Sequence, residues 1–357
     1  MNGIKQQLNK NSNKLFRYLV IALLFTSCSA TNQLTMGVVE PAPVSVSKTV
    51  TNIGIINRSL PSESNQSIDK IDQILSAEGL NLDKKGGAAA ISSLADRLRK
   101  NETFNIVKIL DGGLDLQKGL GVFPATIDWD VIESLCEKNE VDVIFSLAFY
   151  DTDTKVSYKV TTMEVPNNLG IKVAVPAQEL SLQTLIKNGW RIYDLKSKQV
   201  VDKYTYQKTV SSTGRGINPV KAFEAIMGRN EAVLQQSKNI GSSYGLRLLP
   251  IKRRVTRNYF VKGTDNFELG KRRAQTGNWQ GAAELWEQEL SNTDQKIAGR
   301  ANYNMAIINE INGDLEKAIN YASRSYTDYQ NKDALRYLKT LEYRLSQIAK
   351  LRQQASR

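Results

Sequence analysis

The residues whose types and spacing could do chemistry are two pairs of aspartates, Asp128 with Asp130 and Asp151 with Asp153. Two neighbouring carboxylates can hold a metal ion or share the roles of general acid and general base. Both pairs also flank predicted secondary-structure elements, where aspartate caps a helix or ends a strand. We favour this structural interpretation and expect neither a metal nor a cofactor at either pair.

The sequence of 357 residues contains no histidine and only two cysteines, Cys28 and Cys136. A Ser-His or Cys-His nucleophile, an imidazole acid–base and a histidine-ligated metal are therefore excluded. Cys136 lies in a stretch with helical periodicity, which favours a small buried hydrophobic residue over a redox or nucleophilic role. The glycine pairs 86–87 and 112–113 lack the other residues of a phosphate-binding loop, and we interpret them as breakers around a helix. We expect a protein that is not an enzyme; chemistry by carboxylates alone stays open.

The first 27 residues predict export. Four basic residues and no acidic one precede the apolar run 18–25, which is too short to cross a bilayer as a helix. A charged region, a short apolar region and a small residue, Ser27, before a cleavage point are typical of a secretory signal peptide.

The stretch Leu19–Cys28 resembles the lipobox of bacterial lipoproteins, in which a cysteine directly follows the cleavage point. The resemblance implies diacylglycerol on the Cys28 thiol, cleavage before this residue and acylation of the new amino terminus. Two or more acyl chains hold a protein firmly at a membrane. We therefore expect a lipid anchor in the outer membrane. Surface-exported lipoproteins of some bacterial groups have an acidic cluster after the cysteine, and none follows Cys28, so the resemblance implies a body that faces the periplasm. The alternative is an ordinary secreted protein in which Cys28 has no special role.

The elements that must position the remaining residues fall into several segments. We predict a signal peptide over 1–27, a polar tether over 28–48, an α/β domain over 49–250, a basic linker over 251–263 and a helical domain over 264–357. A content of 41% hydrophobic and 24% charged residues is that of ordinary globular protein. A chain of this length favours two domains.

In the α/β domain, apolar and β-branched runs predict strands at 49–57, 104–110 and 141–150, and helical spacing predicts helices at 68–77, 88–100 and 130–139. This order is typical of a mixed sheet covered by helices. Strand-like runs at 155–165, 180–194 and 199–210 follow without a helix between them, and a polar turn at 194–198 joins the last two in a hairpin. Asn218 and Pro219 then predict the start of a helix.

Three features of this domain resemble the periplasmic α/β domain shared by curli-secretion lipoproteins and lipoprotein activators of penicillin-binding proteins. They are the first strand Ile53–Ile56, the strand at Val141–Ile144 after a helix, and the turn Tyr193–Ser197. The whole layout, including the segment 249–260 and the helices after it, is similar to a group of Bacteroidetes envelope lipoproteins. The resemblance implies the architecture and brings no activity with it.

Residues 277–286 match residues 313–322 at an offset of 36, which is typical of a helical-hairpin repeat. The region 301–325 resembles a tetratricopeptide repeat, with small residues where its two helices cross. A third helical segment, 332–353, closes the array. Because tetratricopeptide grooves bind other polypeptides, the resemblance implies a scaffold or assembly factor. We expect four residues to contact a partner: Lys271, Arg300, Tyr303 and Asn304.

The densest basic run consists of Lys252, Arg253, Arg254 and Arg257, and the segment 251–357 holds 19 basic and 12 acidic residues. Such a patch could bind anionic lipid headgroups, an acidic partner or nucleic acid. The alternative is a solvated linker whose charges pair locally. Export disfavours nucleic acid, so the expected partners are membrane lipid at Cys28 and other envelope proteins. The second candidate function is a carboxylate-based enzyme or a glycan-binding lipoprotein.

Overall fold

The computed structural model describes residues 30–47, 49–59, 70–110, 119, 121–226 and 228–356, with the side chains of 70–80 left aside. The predicted signal peptide and Cys28 lie outside these residues. The chain divides into two compact units. One, which we call the sheet unit, comprises residues 42–250. The other, the helical unit, comprises residues 30–41 with 251–353. The fold is a mixed α/β fold followed by several C-terminal helices.

The strands begin with β1 (Thr31–Glu40), β2 (Asn52–Asn57), β3 (Ile106–Ile109) and β4 (Val143–Pro166). They continue with β5 (Lys172–Asp194), β6 (Gln199–Gly216) and β7 (Ile251–Phe260). The sheet unit contains α1 (Lys70–Arg99), α2 (Trp129–Asn139), α3 (Pro219–Glu224) and α4 (Arg229–Leu246). The helical unit contains α5 (Asp265–Gln275), α6 (Trp279–Glu287), α7 (Gln295–Ile311), α8 (Leu315–Thr327) and α9 (Lys332–Ser356).

A five-stranded mixed sheet, in the order β3-β2-β4-β5-β6, forms the centre of the sheet unit. Strand β2 runs parallel to β3 and β4, while β5 runs antiparallel to both of its neighbours. The first eight residues of β4 are all buried, because apolar side chains cover both faces of the sheet there. Strand β6 ends at Gly216, and past this point β4 and β5 continue alone as a two-stranded hairpin. Leu169 and Ile171 are exposed at the tip of this hairpin.

Helices α1 and α4 pack together against one face of this sheet. Their close approach depends on Gly241, since a Cβ atom there would lie 1.9 Å from the carbonyl oxygen of Ala90. The aromatic ring of Trp190 stacks on Tyr244 of α4, with 4.8 Å between the centroids. On the other face, Ile132, Leu135 and Cys136 of α2 belong to a smaller apolar cluster.

Several predictions for this unit are confirmed. The strands predicted at 49–57, 104–110 and 141–150, the helix predicted at 130–139 and the 194–198 turn are present close to the predicted places. Asn218 caps α3 by accepting a hydrogen bond from the Lys221 N–H at 2.8 Å, and Pro219 is the first helical residue.

The predicted pair of helices at 68–77 and 88–100 is wrong, because one helix, α1, runs from Lys70 to Arg99. Gly86 and Gly87 lie inside it and are contact points, not breakers. A Cβ atom at Gly86 would lie 2.3 Å from the Tyr150 hydroxyl oxygen, so glycine lets the helix pass close to β4.

The expected tether and the expected basic linker are also wrong as descriptions of residues 31–40 and 251–260. These segments form β1 and β7, which pair antiparallel along their whole length as a two-stranded ribbon. Leu34 of β1 and Tyr259 of β7 are buried in the core of the helical unit, beside Phe267 and Trp286. In both segments nearly every second side chain is buried or partly buried in the helical unit, which is the pattern of a strand with one covered face.

Candidate functional site

The site is built around Asn304 on α7, which holds the end of β7. The helix begins after Asp294, whose carboxylate accepts the Lys296 N–H at 2.8 Å. Asn304 is fully buried. Its Oδ1 accepts a hydrogen bond from the Phe260 N–H at 2.7 Å, and its Nδ2 donates one to the Phe260 carbonyl oxygen at 2.7 Å. One side chain thus makes the two bonds that a neighbouring β-strand would make.

The register of the ribbon shows which backbone groups point outward. The Val261 N–H donates to the Ala30 carbonyl oxygen at 2.9 Å, so these two residues face each other as a hydrogen-bonded pair. Because such pairs alternate with non-bonded ones in an antiparallel ladder, every second residue directs its N–H and C=O to the outer edge. On β7 these residues are Lys252, Arg254, Thr256, Asn258 and Phe260. Asn304 therefore closes the outer edge of β7 at its last residue.

Two more of the predicted partner-binding residues contact the same stretch of the chain. Arg300 donates from Nη1 to the Lys262 carbonyl oxygen at 2.7 Å, and its guanidinium carbon lies 5.1 Å from the centre of the Phe260 ring. The Tyr303 ring is 5.1 Å from that of Phe260. Lys271 on α5 forms no hydrogen bond or ion pair with the described part of the chain. Three of the four residues thus surround the chain's own strand.

A buried carboxylate, Glu310 of α7, lies beside these residues. It accepts hydrogen bonds from Arg257 Nε and Nη2, both at 2.8 Å, and from the Tyr337 hydroxyl at 2.6 Å. Arg344 of α9 donates to it as well. Burial alone would raise the pKa of Glu310, but the bonds from Arg257 and Tyr337 outweigh it and hold the pKa below the ordinary value. The network joins one buried carboxylate to two partly buried arginines and ties α7, α9 and β7 together.

A cleft of about 450 Å³ opens beside this network. Ten residues line it: Thr31, Thr256, Arg257, Asn258, Phe260, Tyr303, Asp333, Arg336, Tyr337 and Thr340. Burial raises the pKa of Tyr303 to about 12 and that of Tyr337 further, so both stay neutral phenols near neutral pH. The cleft combines an aromatic floor, cationic side chains and the outer edge of a strand.

The predicted basic patch is divided by the alternation of β7. Arg257 is bound to Glu310, and Arg253 pairs with Glu40 across the ribbon at 2.9 Å. Lys252 and Arg254 are exposed, and among the described residues neither forms an ion pair. Half of the patch therefore stabilises the unit, and the other half faces solvent along the outer edge of β7.

The two aspartate pairs lie at the start of α2 and within β4. Asp128 precedes α2 without a side-chain capping bond, and Asp130 is exposed in its first turn. Asp151 and Asp153 lie within β4, so the prediction that they end a strand is wrong. Within the described residues, no group of three or more Asp, Glu, Cys or His side chains could hold a metal ion.

Cys136 is the small buried residue that its periodicity predicts. Only 2% of it is exposed, and burial, with Asp142 and Asp194 nearby, raises the pKa of its thiol to about 11. None of the described helices has the length and apolar character that a membrane span needs.

The sequence reasoning missed Glu310, Tyr337 and Arg344. A signal for Glu310 existed: it follows Tyr303 and Ile307 at helical spacing, so a charged residue stands on the apolar face of α7. The arginine that pairs with it lies on a segment that gave no sign of approaching α7.

Residues 50–260 match a family model described as a domain of unknown function (DUF8603), and residues 268–344 match a second domain of unknown function (DUF6340). No curated protein matches the chain.

Similar solved structures include the PelC dodecamer from Paraburkholderia phytofirmans, at 10% identity and a TM-score of 0.26, covering 61% of this chain and 98% of that one. Another is a Helicobacter pylori protein described as a neuraminyllactose-binding hemagglutinin homolog, at 11% identity and a TM-score of 0.24, covering 56% and 83%. A third is a hypothetical protein from Chlamydia trachomatis, at 10% identity and a TM-score of 0.21, covering 56% and 98%.

Proposed function

Because the chain belongs to the family described as a domain of unknown function (DUF8603), which brings no activity, we propose a function from its residues and geometry. The protein is a lipid-anchored envelope protein that acts as a non-enzymatic scaffold or assembly factor. It binds other polypeptides through its helical unit. The observation that carries this proposal is the open cleft of about 450 Å³ that Tyr303 and Tyr337 line together with the outer edge of β7. The buried hydrogen bonds between Asn304 and Phe260 hold the end of this strand in place beside the cleft.

A tetratricopeptide-like repeat is part of the proposal, and the geometry of the two helical hairpins supports it. Gly277 and Gly313, which are 36 residues apart, both have a φ of +82° in the turns before α6 and α8. In each copy the next residue caps the helix: Asn278 accepts the Gly281 N–H, and Asp314 accepts the Lys317 N–H. The equivalent alanines of the two second helices, 282 and 318, are fully buried.

The lipid anchor at Cys28 fits this placement. Strand β1 begins at Thr31, three residues after the cysteine. Three residues of extended chain span at most about 11 Å. An acylated Cys28 would hold the first residue of β1 at the membrane surface, without the long tether that the sequence suggested. The scaffold would thus be attached to the membrane through its helical unit.

Two experiments test the proposal. Radiolabelled palmitate should enter the wild-type protein and not Cys28→Ala, and Cys28→Ala should leave the membrane fraction. A photoreactive amino acid at Thr340, in the cleft, should yield a crosslinked protein in cells, whereas the same residue at Asn320, exposed on α8, serves as the matched control. Absence of any adduct from positions of the helical unit in the membrane-anchored protein would overturn the scaffold function.

A further inference from the structure

We propose that the outer edge of β7 binds an acidic, extended segment of another protein as an additional β-strand, with one of its side chains in the adjoining cleft. The inference rests on the proposed function and names the kind of polypeptide and the way in which it binds. Addition of a strand to an exposed edge uses main-chain hydrogen bonds for affinity and side-chain pockets for specificity.

The first observation is the state of the edge itself. Thr256 and Asn258 direct their backbone N–H and C=O groups away from β1, because bonded and non-bonded pairs alternate along the ribbon from the bonded pair of Val261 and Ala30. Both residues are exposed. Within the described part of the chain, only the Arg257 guanidinium bonds to these backbone groups, donating to the Thr256 carbonyl oxygen at 3.1 Å. A row of backbone donors and acceptors is therefore available next to the site where Asn304 already substitutes for a strand.

The second observation is the cleft. Thr256, Asn258 and Phe260, the three last outward residues of β7, all line it, together with Tyr303 and Tyr337. A strand laid along this edge would direct alternate side chains to the face on which the cleft opens. Its volume of about 450 Å³ accommodates a large side chain. Backbone pairing and a side-chain pocket thus occur at the same place.

The third observation is charge. Lys252 and Arg254 continue the outward series, and both side chains are exposed without an ion pair in the described part of the chain. Arg336 also lines the cleft, but its charge is balanced by its ion pair with Asp333, so the free positive charge comes from Lys252 and Arg254. Opposite charges on directly facing strands attract each other. A segment with acidic residues at alternate positions therefore fits this edge.

A second copy of the chain fits it poorly. Two β7 strands paired through their outer edges would offer Lys252 and Arg254 no acidic side chain, because the outward residues of β7 include none. Registers that place these cations opposite each other would be destabilised by their like charges. An anionic membrane would use the same cations but would need no backbone donors. The test therefore separates backbone pairing from charge.

The probe is a fluorescent peptide in which valine alternates with glutamate, titrated into the full chain without its lipid. Proline at Thr256 removes the outward N–H of β7 without removing a bond between β1 and β7. Thr35 faces Thr256 across the ribbon and directs its own N–H to the opposite edge, so Thr35→Pro is the matched control. We expect Thr256→Pro to weaken binding about tenfold and Thr35→Pro to leave it unchanged.

The role of charge is tested in two ways. The double variant Lys252→Glu/Arg254→Glu should also weaken binding of the peptide about tenfold, and a peptide in which lysine replaces glutamate should not bind the wild type. Hydrogen exchange of the Val261 amide checks that each variant keeps the ribbon. Equal binding by Thr256→Pro and wild type would overturn the inference, as would binding that vesicles of anionic phospholipid compete away in both variants. Crosslinks from Thr340 that persist in Thr256→Pro would leave the scaffold function standing while the strand-addition mode fails.

Discussion

The two sheets of this protein are completed in different ways. In the five-stranded sheet, β2, β4 and β5 each have a strand on both sides, and helices pack on both faces. The ribbon has only β1 and β7. An isolated pair of strands is marginally stable in water. The ribbon is held instead by buried side chains of the helical unit, with Asn304 in the place of a third strand.

This difference predicts where each unit is sensitive. The sheet unit depends on backbone ladders and on the space between packed elements, whereas the ribbon depends on a few polar side chains. Substitutions that remove one buried polar group should therefore affect the helical unit most, and substitutions that add a small volume should affect the sheet unit. Hydrogen exchange followed by mass spectrometry on the full chain measures both units in the same experiment.

The largest effect should come from Glu310→Ala. Removal of the buried carboxylate leaves the partly buried Arg257 and Arg344 without their partner, and breaking a buried pair from one side costs about 3–5 kcal/mol. Exchange of the β7 and α9 amides should accelerate accordingly. Glu316→Ala, at an exposed position on α8, is the control. Unchanged protection of β7 in Glu310→Ala would show that the ribbon does not depend on this network.

A smaller effect is expected from Asn304→Ala. The substitution leaves the Phe260 N–H and C=O without their partner in a buried place, which costs about 2 kcal/mol. The Phe260 amide should lose its protection first, since Asn304 is the group that covers it. Asn320→Ala on α8, where the side chain is exposed, should change nothing. An unprotected Phe260 amide in the wild type would already contradict the role assigned to Asn304.

In the sheet unit, Gly241→Ala should destabilise by about 1 kcal/mol. Overpacking costs about 1–3 kcal/mol, and the better helix propensity of alanine offsets up to about 1 kcal/mol of it. The new Cβ atom meets backbone atoms of Ala90, which can only move with α1. Gly245→Ala in the same helix is the comparison with a milder clash, because its new Cβ atom would meet side-chain atoms of Arg97 and Leu94, at 2.7 and 3.3 Å, and no backbone atom. Equal stability of the two variants would mean that α1 and α4 adjust freely.

Local patterns predicted the sheet unit better than the ribbon, and the reason is sequence distance. Strands β2 and β4 are predicted by their uninterrupted apolar residues. Asn218 and Pro219 start a helix through contacts with residues next to them in the sequence, which is also a local signal. Strand β1 pairs with a segment more than two hundred residues away, so no local signal could show its partner. Because the pairing with β7 was not visible in the sequence, residues 31–40 were interpreted as part of a tether and Arg257 as part of a linker.

The candidate site follows the same division. Asn304 was identified through its position in a repeat, which is a local pattern. Its actual contact, the backbone of Phe260, depends on how β7 is placed on α7, which the sequence does not contain in readable form. The free half of the basic patch could have been separated from the paired half by the period of a strand, had the segment been recognised as one.

The smallest effect expected is on the pH dependence of the helical unit. Glu310 has a folded pKa below its ordinary value of 4.5, so its stabilisation is complete above that value and is lost as the pH falls through the lower folded value. At pH 4 the protonation of one such carboxyl group can lower the free energy of unfolding by at most about 1 kcal/mol.

The variant Glu310→Gln has no charge at this position at any pH. Its stability should therefore fall less than that of the wild type between about pH 6 and about pH 4, a range that lies within about two units of the ordinary pKa of glutamate. The measurement is the urea midpoint of the transition that Glu310→Ala lowers at neutral pH. Parallel curves for the two proteins would show that the pKa of Glu310 is the same in the folded and unfolded states. The network around this carboxylate would then not be what stabilises the ribbon.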